Sequence, residues 1–158
     1  EWQDVDYMIV DLPPGTGDTQ LTLSQKIPVS GAVIVTTPQD IALIDAQKGL
    51  AMFEKVNIPI LGIVENMSIH ICSNCNHAEE IFGHGGGERM AATSNTKFLG
   101  ALPLKLEIRT DVDEGTPSVA KDPESKVSMM YQEIARKVAA TLSLQSETIG
   151  AFPNITIE

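Results

Sequence analysis

Two short stretches of this chain carry residues that can do chemistry. The first is Val10-Asp11-Leu12-Pro13-Pro14-Gly15-Thr16-Gly17-Asp18, an acid that closes an apolar run and opens a turn rich in proline and glycine. A strand ending this way can deliver a carboxylate to the rim of a parallel sheet, where Asp11 would hold Mg²⁺ directly or through water. Gly15 and Gly17 have no Cβ, so their N–H groups can come close to an anion. Pro13 and Pro14 stiffen the approach. The plainer account of the same residues is a strand-to-helix turn with Asp18 as the helix N-cap.

The second stretch is Cys72-Ser73-Asn74-Cys75, in a polar segment that also holds His70, His77 and His84. Two thiolates at this spacing can bind one face of a soft metal centre. Four accounts fit the residues alone. The pair can be half of an iron–sulfur site, because a [4Fe–4S] cluster usually takes four cysteines and one chain supplies two. It can join nearby histidines in a Cys₂His₂ zinc site, although the spacing differs from the usual zinc-finger pattern. It can be a redox disulfide, or two ordinary thiols in a loop. Gly85-Gly86-Gly87 follows and reads as a flexible connector to a helix starting near Glu88, or as a hinge for the cysteine segment.

Composition narrows the classes. The 158 residues suffice for one domain with a core, and 42% hydrophobic content is ordinary for a globular chain. A formal net charge of -10, with no cluster of Lys or Arg, argues against a nucleic-acid or anionic-membrane surface. No apolar run approaches the roughly 20 residues that span a bilayer, and no signal peptide is visible. Two cysteines do not make a secreted disulfide framework, so a reducing cytoplasm is the simplest compartment.

The elements that must position these residues follow from four apolar runs, Tyr7–Leu12, Ala32–Thr36, Ile60–Val64 and Phe98–Leu102. Most are apolar throughout, as parallel strands covered on both faces are. Between them lie helical patterns. One is expected from Asp18 through Lys26. A longer one is capped by Asp40 and reaches Val56, with Leu43, Ala46, Leu50 and Phe53 on one face. Ser125 is expected to cap a last helix whose face is Val127, Met130, Tyr131, Ile134, Val138 and Leu142. This alternation predicts an α/β layered fold with a mostly parallel sheet. Residues 68–87 read as an insertion carrying function. Arg109–Lys126 reads as a polar loop, and Gln145–Glu158 as a tail beyond a single domain of residues 1–144.

Six strings in one order resemble a known family: Asp11-Leu12-Pro13-Pro14-Gly15-Thr16-Gly17-Asp18, Thr37-Pro38-Gln39-Asp40, Gly62-Ile63-Val64-Glu65-Asn66-Met67-Ser68, Cys72-Ser73-Asn74-Cys75, Ile81-Phe82-Gly83-His84-Gly85-Gly86 and Leu99-Gly100-Ala101-Leu102-Pro103-Leu104. Together they are similar to the Mrp/ApbC family, ATP-binding iron–sulfur cluster carriers within the MinD/ParA-like branch of P-loop NTPases. The resemblance covers roughly Val5 to Leu142. It implies that the first string is the switch II segment, with Asp11 supporting Mg²⁺ and the Gly15 backbone sensing the γ-phosphate of ATP. It implies that Asn66 hydrogen-bonds adenine and that Pro103 lines the base pocket. It also implies a homodimer that holds a cluster, a [4Fe–4S] cluster in this reading, between two copies of Cys72 and Cys75 and passes it to apo iron–sulfur proteins. The family's P-loop, a Gly-rich turn with lysine, has no counterpart in these residues. The chain is therefore expected to be the C-terminal part of a longer ATPase, inactive alone, whose missing P-loop strand packs beside Tyr7–Leu12. Rival functions are a zinc-stabilised interaction module and a MinD- or ParA-type positioning ATPase. The cysteine pair, and the lack of a basic amphipathic segment, argue against the positioning ATPase.

Overall fold

Three of the four apolar runs form one parallel sheet. A computed structural model of the chain describes residues 3–13, 17, 22, 26–72 and 74–149. In it, β1 (Ala32–Thr36), β2 (Ile60–Glu65) and β5 (Phe98–Ala101) lie side by side in the order β1-β2-β5. β2 is paired on both sides and buried along almost its whole length, which is why it reads Ile-Leu-Gly-Ile-Val with a single acid at its end. Parallel neighbours need crossover connections. The first contains α1 (Asp40–Lys55). The second contains a two-stranded hairpin of β3 (His70–Ile71) and β4 (Ala78–Glu79), followed by α2 (Gly86–Thr93).

Side-chain alternation along the strands divides the core into two layers. Ile34 and Ile63 meet Leu50 and Phe53 of α1 and Met90 and Ala91 of α2. Val33, Val64 and Leu99 face the other way, against Met130, Tyr131, Ile134 and Val138 of the long last helix. That helix, α5 (Lys126–Ile149), follows two short ones, α3 (Leu106–Asp113) and α4 (Ser118–Lys121). Helices on both faces of a parallel sheet make the α/β layered fold the sequence predicts.

Several expectations need correction. Tyr7–Leu12 is not a strand: residues 7–13 take no regular secondary structure, and Tyr7, Met8, Ile9 and Val10 are exposed, Ile9 at 92%. A strand needs a neighbour to take up its row of N–H and C=O groups, and among the described residues none pairs with this run. Only Leu12 packs against the core. The helix expected from Asp18 to Lys26 lies outside the described residues except at Thr22 and Lys26. Asp40 does not cap α1. Gln39 occupies that position without a side-chain cap, and Asp40 sits in the first turn, where its charge complements the helix dipole. The α2 helix starts at Gly86, two residues before Glu88.

Arg109–Lys126 is not simply a loop, since it contains most of α3 and all of α4. Both are short and polar, so they lack the apolar stripe that marks a helix in sequence. A polar cluster holds them instead. The buried Asp111 carboxylate accepts from the Ser118 hydroxyl at 2.7 Å and from Lys121 Nζ at 2.6 Å. Ser128, fully buried on α5, donates to the Ser118 carbonyl at 3.0 Å. Ser125 caps α5 as expected, with the Ser128 N–H donating to its hydroxyl at 3.1 Å. The helix runs on to Ile149, into the expected tail, and residues 150–158 lie outside the described part. No helix of the described residues is long and apolar enough to cross a membrane.

Candidate functional site at the carboxyl edge of the sheet

Ligands of open parallel sheets bind beyond the carboxyl ends of the strands, and the segments carrying Asn66, Pro103 and the cysteines leave the sheet there. Asn66 follows β2 directly. Its backbone N–H donates to the Thr36 carbonyl at the end of β1 at 2.7 Å, and its side-chain Oδ1 accepts the Met67 N–H at 2.9 Å. Met67 is left at φ 56°, a costly conformation for a side chain of its size, of the kind that concentrates at functional sites. An amide oxygen has two lone pairs, so the bond to Met67 leaves Asn66 further capacity to accept and its NH₂ to donate.

Pro103 follows β5, the next strand, and is buried. The residues on either side of it are fastened to the segment leaving Asn66. The Ser68 N–H and hydroxyl both donate to the Leu102 carbonyl, at 2.9 and 3.0 Å. The Leu104 N–H donates to the Ile69 carbonyl at 2.8 Å, and His70 Nδ1 lies 3.1 Å from the Leu104 carbonyl, which requires the proton on that nitrogen. With the Leu102 N–H donating to the Glu65 carbonyl at 2.8 Å, Asn66 and Pro103 stand on two adjacent strand ends joined by five hydrogen bonds.

The same segment runs into the cysteine hairpin. The Cys72 N–H donates to the His77 carbonyl and the Asn76 N–H to the Cys72 carbonyl, both at 2.9 Å, while Asn76 takes the left-handed φ of 55° that closes the turn. Cys72 is half-buried, Cys75 is exposed, and neither is in a disulfide. Hydrogen bonds to the Cys72 sulfur from the backbone of Asn74 and Cys75, and from the Cys75 thiol, hold its pKa below the ordinary thiol value against burial and the Glu79 carboxylate. Easier ionisation favours the thiolate that binds metal. Of the three histidines, His70 is engaged with Leu104, His84 pairs through Nδ1 with Glu80 at 2.9 Å, and His77 is exposed. Among the described residues, no group of three or more His, Cys, Asp or Glu is gathered to hold a metal ion. The hairpin thus presents two free thiols at its turn.

The return from the hairpin rests on a residue that sequence reasoning passed over. Glu65, the last residue of β2, is 3% exposed, and its Oε2 accepts the Gly87 N–H at 2.7 Å in the first turn of α2. Gly86 and Gly87 are buried and helical, not a flexible connector. A Cβ on Gly86 would meet the Pro38 carbonyl oxygen at 2.9 Å, and one on Gly87 would meet Glu65 Cβ at 3.0 Å. The glycines are there because α2 starts hard against the ends of β1 and β2. The available signal was an acid ending an otherwise apolar central strand, since a carboxylate is rarely buried without a partner.

Asp11 is exposed on the irregular segment seated by Leu12, and Gly15 lies outside the described residues. A shallow depression near the start of β2, at the amino edge, is lined by Asn95, Lys97, Thr141 and Gln145, and not by Asn66, Pro103 or the cysteines.

This sheet, with its helices on both faces, has the fold of MinD-type P-loop NTPases. The MinD cell division ATPase of Pyrococcus furiosus matches it with a TM-score of 0.55 at 24% identity, over 70% of this chain and 43% of that one. A nucleotide-binding protein from Archaeoglobus fulgidus, in complex with ADP, matches with a TM-score of 0.66 at 35% identity, over 77% of this chain and 49% of that one. The ParA family model, described as NUBPL iron-transfer P-loop NTPase, matches residues 1–139, and the chain belongs to that family. It is 60% identical over 148 residues to the iron–sulfur cluster carrier protein of Escherichia coli strain K12, covering 94% of this chain and 40% of the relative. It is 50% identical over 147 residues to the iron–sulfur cluster transfer protein NUBPL of Mus musculus, covering 93% and 46%. The chain thus spans less than half the length of these curated relatives. The family and fold class expected from the motifs are both borne out.

Proposed function

We propose that the whole protein is an ATP-dependent carrier that takes up an iron–sulfur cluster and hands it to apo-proteins in the cytoplasm. The observation that carries this reading is the pair of free thiols, Cys72 and Cys75, at the turn of a hairpin rooted beside Asn66 and Pro103. The cluster is cargo. Two thiolates are half of a [4Fe–4S] ligand set, so a homodimer meeting at its two hairpins supplies all four. The names of the relatives, carrier and transfer protein, support the cargo.

The nucleotide side is divided. Asn66 and Pro103 suit the base, Asp11 suits Mg²⁺, and the Gly15 backbone suits the γ-phosphate. The phosphate cradle needs a Gly-rich loop with lysine, which these 158 residues do not contain. The chain by itself should therefore bind MgATP weakly, and hydrolysis belongs to the whole protein.

Anaerobic reconstitution with iron and sulfide tests the cargo. The wild-type dimer should gain the visible absorption of a cluster, and Cys75→Ser should lose it while keeping its helical circular dichroism, because Cys75 is exposed. A monomer holding a full complement of iron and sulfide would overturn the bridging arrangement. Zinc bound within each chain, with no visible absorption, would overturn the carrier reading.

A further inference from the structure

The cysteine segment leaves β2 at Asn66 and returns to the same strand end through Glu65, so both of its roots sit on the candidate base site. The outgoing root is the set of bonds between residues 68–70 and residues 102–104, on either side of Pro103. The returning root is held by one side-chain hydrogen bond, the Gly87 N–H on Glu65 Oε2 at 2.7 Å, beside the close packing of Gly86 on Pro38. We propose that Glu65 is a positioning residue that couples nucleotide to cluster: it ties the start of α2, and with it the returning arm of the cysteine hairpin, to the strand end that carries Asn66. The proposal rests on the carrier reading above.

The physical case has three parts. Glu65 and Asn66 are consecutive, so a base that draws on Asn66 moves or stiffens the backbone from which the Glu65 side chain projects. The contact is buried, where a carboxylate–amide bond is stronger than in water and costly to leave unmade. It is also tightly packed. Pro38 lies against Gly86, and Glu65 Cβ lies where a Gly87 side chain would go, so a shift of the β2 end cannot be absorbed locally and passes to α2. On the far side of α2's first turn, Arg89 Nη1 donates to the His84 carbonyl at 2.7 Å, which carries the constraint back into the segment returning from the hairpin.

The test uses the full-length dimer loaded with cluster and measures transfer to an apo-ferredoxin with and without MgATP. The readout is the ratio of the two rates, which general damage to the fold does not move because it lowers both. The wild type should show a ratio of about fivefold or more, the lower end of usual coupling between two sites. Glu65→Ala should keep its cluster content and its ATP affinity, and its ratio should fall to one. Glu65→Gln keeps an acceptor oxygen in the same place and should restore most of the ratio. Gly87→Ala, which presses on the contact from the other side, should lower it without touching the acid, so the inference stays testable if Glu65→Ala fails to fold. A wild-type ratio above one that survives in both Glu65→Ala and Gly87→Ala would overturn this inference alone. A wild type that carries no cluster, or whose transfer ignores nucleotide, would overturn the carrier reading and this inference with it.

Discussion

Asn66 illustrates how much one residue type can reveal. Its amide can both accept from and donate to a base edge while carrying no charge, and the structure spends one acceptor position, on Met67. Asn66→Asp separates these roles. The acid keeps an oxygen for the Met67 N–H, loses the donor and adds a negative charge. In the full-length protein, ATP affinity should fall about tenfold, the equivalent of roughly one hydrogen bond of 1.4 kcal/mol, with little change in melting temperature. Calorimetric titration checks it, and an unchanged dissociation constant would remove Asn66 from the base site. Cys72 and Cys75 were legible because few structural duties call for two thiols at that spacing. Glu65 was half legible: an acid ending an apolar strand signals a buried partner, but that partner, the Gly87 N–H, lies 22 positions away and no local pattern names it.

At the scale of elements, β1, β2 and β5 were readable because burial on both faces makes them apolar throughout, and the amphipathic helices because burial on one face writes a period into them. Leu50 and Phe53 on α1, and Met130, Ile134 and Val138 on α5, sit on the faces their spacing predicts. α3 and α4 escaped because a polar network, and not an apolar stripe, holds them. Its centre, Asp111, is 7% exposed, and hydrogen bonds from Lys121 and then Ser118 hold its pKa below the ordinary carboxylate value. A carboxyl group with a depressed folded-state pKa stabilises the fold above its unfolded value, about 3.9, and that contribution disappears as pH falls through the lower folded value. The α3–α4 region should thus be fully held at neutral pH and loosen below about pH 4. Asp111→Asn should lower the melting temperature at pH 7 and narrow its gap to the wild type as the pH drops toward 3. Thermal melts across that range check the sign. A gap that stays constant would place the contribution in packing and not in charge.

The whole molecule presents an imbalance that the exposed surface makes visible. β1 is paired with β2 on one side only, and among the described residues no strand covers its other side. Val35, the next-to-last residue of β1, is 60% exposed, and Val5, Tyr7, Met8, Ile9 and Val10 are at least 45% exposed on the irregular segment. An open strand edge invites pairing with another chain, and apolar groups left in water favour any arrangement that removes them. The net charge of -10 opposes association at long range, but that repulsion fades beyond about 10 Å in 0.1 M salt, so it should yield as salt rises. These 158 residues alone should therefore self-associate, with light scattering showing a mass that grows with concentration and grows further with added salt. Replacing Ile9, at 92% exposure, with Lys should lower that mass without lowering the melting temperature, because Ile9 packs against nothing that the charge would disturb. A mass that stays at one chain in high salt and at high concentration would mean that the open edge and the exposed run already cover one another in solution.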